Sequence, residues 1–76
     1  MRALIEFVAR SLVDDPAAVR VQERRSEAAV VYELSVARDD VGKVIGKHGR
    51  TAHALRLLLA AAAQRQGGKA VLEIKE

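Results

Sequence analysis

The stretch DDVGKVIGKHGRTA, residues 39–52, decides the fold, because two glycines interrupt a pattern that is otherwise helical. A short helix before the glycines would bury the apolar residues Val41, Val44 and Ile45. Gly46 and Gly49 break that helix, since glycine adopts turn conformations that other residues avoid. A longer helix then begins near Arg50 or Thr51. The stretch therefore predicts two helices joined by a tight glycine-bounded turn.

The longer helix has an apolar stripe at the three- and four-residue spacing of an amphipathic helix. The main stripe consists of Ala52, Leu55, Leu58, Leu59 and Ala62, and it is widened by Leu57 and Ala61. Gly67 and Gly68 predict the end of the helix. Leu57, Leu58 and Leu59 are consecutive, so they cannot all face one core. We expect one of them to be exposed, as is common at an interface.

The first part of the chain predicts one helix and two strands. The apolar residues with helical spacing are Leu4, Ile5, Val8, Ala9 and Leu12. Pro16 should end this helix, because the residue before a proline is pushed out of the helical region. Period-two alternation predicts strands around residues 19–22 and 30–36, joined by a short polar link and therefore antiparallel. Residues 69–75 predict a third strand, so the expected order is helix, strand, strand, helix, helix, strand.

The positive charge of the chain is concentrated around the two glycines. The whole chain has a formal charge of +3, from 13 Lys and Arg against 10 Asp and Glu. Residues 41–56 contain four cations and no acid, so this window contributes +4 and the other 60 residues sum to −1. The four cations are Lys43, Lys47, Arg50 and Arg56. Nucleic-acid binders concentrate charge in this way. A phosphate at the start of the longer helix would meet free N–H groups, Lys47 and His48.

The composition excludes several kinds of site. The chain has no cysteine, which excludes disulfides, thiolate metal sites and thiol catalysis. His48 and His53 are five residues apart and have no obvious third ligand, so we expect neither a metal nor a cofactor. Asp39 and Asp40 directly precede a helix, so we assign one of them to N-capping rather than to acid–base catalysis.

Nucleotide hydrolysis and base stacking on aromatic residues are also not predicted. The P-loop pattern is G-x-x-x-x-G-K-[ST], whereas Gly42 and Gly46 have only three residues between them. The only aromatic residues are Phe7 and Tyr32, too few for the stacking platform of RRM or OB domains. No apolar run approaches the ~20 residues of a membrane span. We expect a soluble, cytoplasmic protein.

Residues 44–49, VIGKHG, resemble the V-I-G-x-x-G core of KH domains. In that family a GXXG loop between two helices clamps the backbone of about four nucleotides. The predicted order αββααβ is similar to the type II, or prokaryotic, KH arrangement. The short chain and the stretch 39–52 also resemble the small bacterial KhpA-type RNA-binding proteins. The resemblance covers residues 1–76 as a single KH domain, with the minimal βααβ unit at roughly 29–75.

The resemblance implies an α+β fold, with three helices packed on one face of a mixed three-stranded sheet. The last strand would be parallel to the second strand. A groove is implied between the helix–GXXG–helix unit and the last strand, with an aliphatic floor that includes Val44 and Ile45. The edge of residues 71–74 would read the bases. The charge concentration and the resemblance together predict these RNA-binding residues: Gly46, Lys47, His48, Gly49, Arg50, Lys43, Val44, Ile45 and Arg56. For Lys43 and Arg56 a solvated surface position stays open as the alternative.

We therefore expect a non-enzymatic RNA-binding protein that acts as a post-transcriptional regulator or an RNA chaperone. Two alternatives stay open. One is a protein-interaction or dimerisation module within a larger ribonucleoprotein, and the other is binding of single-stranded DNA. The surface near Leu57 predicts self-association or pairing with a second KH-type RNA-binding protein, which the resemblance also implies.

Overall fold

The computed structural model describes residues 1–75, which form three helices, one sheet and three short 3-10 turns. The helices are α1 (Arg2–Leu12), α2 (Val41–Ile45) and α3 (Arg50–Arg65). The strands are β1 (Arg20–Arg25), β2 (Val30–Ser35) and β3 (Ala70–Ile74). The 3-10 turns are Pro16–Ala18, Arg38–Asp40 and Lys47–Gly49. The order of helices and strands is αββααβ, which confirms the prediction.

The sheet is mixed, with the strand order β1-β2-β3. β1 and β2 are antiparallel, and Glu23 lies opposite Tyr32. β3 is parallel to β2, and Leu72 lies beside Tyr32 on the other side. Because β3 is an outer strand, one of its edges has no strand partner in the sheet. This arrangement confirms the predicted hairpin and the predicted parallel third strand.

One face of the sheet forms the core, and the three helices cover it. Tyr32, Leu34 and Leu72 point into this core, as their period-two spacing predicts. The helices contribute chiefly Ile5, Ala9, Val44, Leu55 and Leu59. The opposite face is charged, and there Glu33 pairs with Arg24 at 2.8 Å and with Lys75 at 3.2 Å. The core therefore lies between the helices and a single face of the sheet.

Two of the predicted boundaries are wrong in the first half of the chain. α1 ends at Leu12 rather than at Pro16, because Val13 leaves the helix in an extended conformation and buries its side chain. β1 continues to Arg25, so it includes most of the stretch that was predicted as a polar link. Arg25 pairs with Val30 in the hairpin, and backbone hydrogen bonding to β2 stabilises this polar strand end.

The buried face of α3 is also rotated relative to the prediction. The buried residues are Ala52, Leu55, Leu59 and Ala63. Leu58 was placed in the main stripe, but it is 55% exposed, and Leu57 is 59% exposed. Two of the three consecutive leucines therefore face outward. The helix ends as predicted, because the N–H groups of Gly67 and Gly68 donate to the carbonyls of Gln64 and Ala63.

Asp40 precedes α2, but its side chain does not cap that helix. Its carboxylate instead accepts hydrogen bonds from the backbone N–H groups of Asp14 at 3.2 Å and Asp15 at 3.1 Å. Lys43 lies 3.4 Å from the same carboxylate. The predicted capping of α2 by Asp40 is therefore wrong, because its carboxylate binds the segment after α1 instead. Asp40 joins the segment after α1 to the start of α2, across 25 residues of sequence.

The environment of Asp40 favours the ionised carboxylate. Burial raises the pKa of this carboxyl, but the two backbone N–H donors and Lys43 outweigh burial and leave the pKa below its ordinary value. The pKa of Lys43 is raised, first because its ammonium donates a hydrogen bond to Asp14 and also because of its attraction to Asp40. Both groups are therefore charged at neutral pH and form a fixed ionic cluster beside α2.

Candidate nucleic-acid interface

The loop between α2 and α3 consists of residues 46–49, and three of its four residues have a positive φ. Gly46 has φ 81° and ψ 169°, and Gly49 has φ 74° and ψ 11°. His48 has φ 58° and ψ 25°, a left-handed conformation that is rare for a residue with a side chain. The two helices are thus joined by a very short turn that is held in conformations suited to glycine.

The close approach of Thr51 is a second reason why glycine is required at position 46. A Cβ atom at Gly46 would lie 2.7 Å from the Cβ and 2.8 Å from the backbone nitrogen of Thr51. Real Cβ contacts are essentially never this short. A Cβ atom at Gly49 would meet nothing within 4 Å. The two glycines therefore differ: the first is fixed by packing and conformation, and the second by conformation alone.

The start of α3 lies directly behind this loop. Gly49 occupies the N-cap position and provides no side-chain cap for the first turn of the helix. The first turn also contains no acidic residue. The N–H groups of a helix start carry partial positive charge and suit a negatively charged ligand. Backbone donors and the helix dipole therefore reinforce the positive side chains of the loop.

The predicted cations are divided between free and paired groups. Lys47, His48 and Arg50 are exposed, and none of them forms an ion pair within residues 1–75. Lys43 pairs with Asp14 and Asp40 instead. Its charge is therefore already compensated within the protein. The free positive charge near the loop comes from Lys47 and Arg50, with His48 between them.

The two aliphatic residues of the predicted groove floor have different positions. Val44 has no exposed surface and packs in the core, so it cannot touch a ligand in this conformation. Ile45 is half-buried beside the loop. The accessible apolar surface at this point therefore belongs to Ile45, and Val44 supports the turn from below.

The resemblance predicts that the other wall of the groove is the edge of β3, which is free of a strand partner on one side. The residues on either side of β3 are hydrogen-bonded to β2. The N–H of Val30 donates to the carbonyl of Lys69 at 3.0 Å, and the N–H of Lys75 donates to the carbonyl of Leu34 at 2.9 Å. The backbone N–H and C=O groups alternate in direction along a strand. Those of the even-numbered residues Ala70, Leu72 and Ile74 therefore point to the free edge of β3.

Arg56 connects this edge to α3. Its Nε donates a hydrogen bond to the carbonyl of Leu72 at 3.4 Å. The contact shows that the side of α3 carrying Arg56 faces the outer edge of the sheet. The space continues toward the end of α3 as an open cavity of about 420 Å³, lined by Ala60, Gln64, Gly68, Lys69, Ala70 and Val71.

The described residues also bear on metal binding and on membrane insertion. Within residues 1–75 no group of three or more His, Asp or Glu side chains is arranged to hold a metal ion. His53 is exposed on α3. Over the same residues, every helix is too short or too polar to cross a bilayer. Sequence reasoning did not find the pairing of Lys43 with Asp14, because it depends on a contact between distant segments.

A GXXG turn between two helices, in an αββααβ domain whose third strand is parallel to the second, defines the type II KH class. The family model described as "KhpA/KhpB, KH domain" matches residues 2–74. The chain therefore belongs to the KhpA/KhpB family of KH domains.

Relatives from several bacteria support this assignment. A protein of Clostridium perfringens is 47% identical over 74 residues, which cover 97% of this chain and 99% of the relative. A protein of Chlamydia pneumoniae is 43% identical over 76 residues, which cover 100% and 97%. A protein of Treponema pallidum is 51% identical over 71 residues, which cover 93% and 89%. Each of the three is named RNA-binding protein KhpA. No solved structure gives a significant match.

Proposed function

We propose that this protein binds single-stranded RNA and holds the phosphates at residues 46–49. The observation that carries the proposal is the positive-φ turn at the start of α3, flanked by the unpaired cations Lys47 and Arg50. Backbone can approach a phosphate closely at glycine, and the helix start adds N–H donors. The relatives named as RNA-binding proteins support RNA as the ligand.

We propose further that about four nucleotides lie in the adjoining groove. Ile45 would support the bases from below, and the free edge of β3 would offer them main-chain donors and acceptors. This mode needs no aromatic platform, in agreement with a chain that has one Phe and one Tyr. The protein acts by binding alone, as a regulator of transcripts or an RNA chaperone, rather than as an enzyme.

The dependence of affinity on salt tests the electrostatic part of this proposal. If about three phosphates are neutralised, the logarithm of the affinity for single-stranded RNA should fall against the logarithm of salt concentration with a slope near −2. Fluorescence anisotropy with a labelled RNA pool over a range of KCl concentrations measures this slope. A flat response would contradict phosphate binding and would favour a protein-interaction module. A parallel titration with single-stranded DNA separates the two nucleic acids.

We also propose that the protein pairs through α3, with a second copy or another KH-type protein. Leu57 and Leu58 are both more than half exposed on this helix. Large apolar side chains that are exposed together on one helix are common at protein interfaces.

Sedimentation equilibrium of the wild type and of the Leu57→Glu/Leu58→Glu variant tests this pairing. We expect a dimer mass for the wild type at micromolar concentration and a monomer mass for the variant, because charge on a buried apolar surface opposes association. Phe7→Glu is the matched control, since Phe7 is 70% exposed on α1. The control should keep the dimer mass. A wild type that is monomeric throughout would contradict self-association.

A further inference from the structure

The side chain of Arg56 occupies a particular place on the groove wall. Its Nε donates to the carbonyl of Leu72, the central residue of the free edge of β3. Among residues 1–75 its two terminal nitrogens have no hydrogen-bond partner. Arg56 lies seven residues after Gly49, about 10 Å along the helix axis. A single strand that runs from the loop along α3 would therefore pass Arg56 within one to two nucleotides of the phosphate held at the loop.

The same contact determines which main-chain groups a base would meet at Leu72. Lys69 and Lys75 direct backbone groups to β2, and this direction alternates along the strand. The N–H and the C=O of Leu72 therefore both point to the free edge. Arg56 already donates to one of the two lone pairs of this carbonyl. The other groups at this point are the Leu72 N–H and the two terminal nitrogens of the guanidinium, all of which are donors. Donors therefore outnumber acceptors in this part of the groove.

An arginine fork pairs best with two acceptors that are adjacent on one edge of a base. Cytosine offers O2 and N3, and guanine offers O6 and N7. On its Watson–Crick and Hoogsteen edges, adenine has an amino donor next to each acceptor. In uracil, an N–H lies between the two carbonyl acceptors. The amino group of adenine would have to share the Leu72 carbonyl with Arg56.

We propose that Arg56 is the base-selecting residue of this groove, and that it favours cytosine or guanine over adenine and uracil. The proposal rests on the proposed RNA-binding function and adds a specificity to it. The Nε contact with the Leu72 carbonyl, at 3.4 Å, places the guanidinium at the strand edge with its two terminal nitrogens free to meet a base. A lysine at this position would keep the charge but would lose the planar fork.

Anisotropy titrations with four labelled pentamers, UUCUU, UUGUU, UUAUU and UUUUU, test the proposal. We expect the wild type to bind the C and G pentamers about fivefold or more tightly than the other two, as one bidentate contact provides. Arg56→Lys should bring the four affinities to within about twofold of one another while most of the overall affinity stays. Arg65→Lys is the matched control, because Arg65 is also exposed on α3, and it should keep the wild-type preference.

The outcomes separate this proposal from the function on which it rests. Equal, salt-dependent binding of all four pentamers by the wild type would overturn the role of Arg56 and would leave RNA binding intact. A preference that survives in Arg56→Lys would also overturn it, because another group would then select the base. Failure of the wild type to bind any pentamer would overturn both. The ratio of affinities is not changed by a uniform loss of folded protein, so a purely structural effect of Arg56→Lys would leave it unaltered.

Discussion

We expect the double replacement Lys47→Asp/His48→Asp to reduce affinity for single-stranded RNA by at least about a hundredfold. The two residues lie between the glycines of the loop, where the first phosphate is proposed to bind. Replacing Lys47 by Asp removes one cation and adds one anion, so attraction to phosphate becomes repulsion. The second acidic side chain, at residue 48, would compete with phosphate for the N–H groups at the start of α3.

The fold should survive this change. Both side chains are exposed, and neither takes part in an ion pair within residues 1–75. The left-handed backbone of residue 48 also accepts Asp better than most residues. Circular dichroism and a melting curve close to those of the wild type would confirm that only binding is lost.

A control of equal charge change is available on α1. Arg2→Asp/Ala3→Asp changes the net charge by the same amount as the loop variant, and acidic residues suit the first turn of a helix. This control should bind RNA within a few-fold of the wild type, because it lies on a different element from the loop. Unchanged affinity of the loop variant for a mixed single-stranded RNA pool would contradict the assignment of the loop.

The second large effect is expected on stability, from Gly46→Ala. The backbone at Gly46 lies in a region of φ and ψ that is essentially limited to glycine, which costs about 1–3 kcal/mol for other residues. The added Cβ would also overlap the Cβ and the backbone nitrogen of Thr51. We expect the free energy of unfolding to fall by about 3 kcal/mol or more, as measured by urea denaturation.

Gly49→Ala is the matched control for this replacement. The φ of Gly49 is also positive, but an added Cβ there meets open space. The cost should be limited to the left-handed conformation, about 1–2 kcal/mol. Equal losses of stability in the two variants would contradict the close approach of Gly46 and Thr51. A larger loss at Gly46 would show that packing against the start of α3 fixes the turn.

The element order and the sheet could be predicted because each element has a clear local pattern. Tyr32 and Leu34 alternate with Glu33 and Ser35, and Gly46 and Gly49 interrupt two helical stripes. The family resemblance supplied the parallel pairing of β3, which no local pattern contains. The position of the turn followed from the glycines, since Gly46 lies in a region of φ and ψ that is essentially limited to glycine.

The remaining features depend on contacts between distant segments. Asp40 looked like a helix cap, but it binds the N–H groups of Asp14 and Asp15, and this contact accompanies the early end of α1. Lys43 counts toward the local positive charge in the sequence, but its partners neutralise it. The left-handed conformation of His48 has no sequence signal beyond its glycine neighbours.

The free edge of β3 has a consequence for solubility. Unpaired strand edges are the places where another strand can add to a sheet, and proteins commonly protect them with short strands and cations. β3 has only five residues, and the cation Arg56 donates a hydrogen bond to its central carbonyl. The main-chain groups that would receive a base are thus the same groups that would receive a foreign strand. Occupancy of the groove by a ligand would guard the protein against edge-to-edge aggregation.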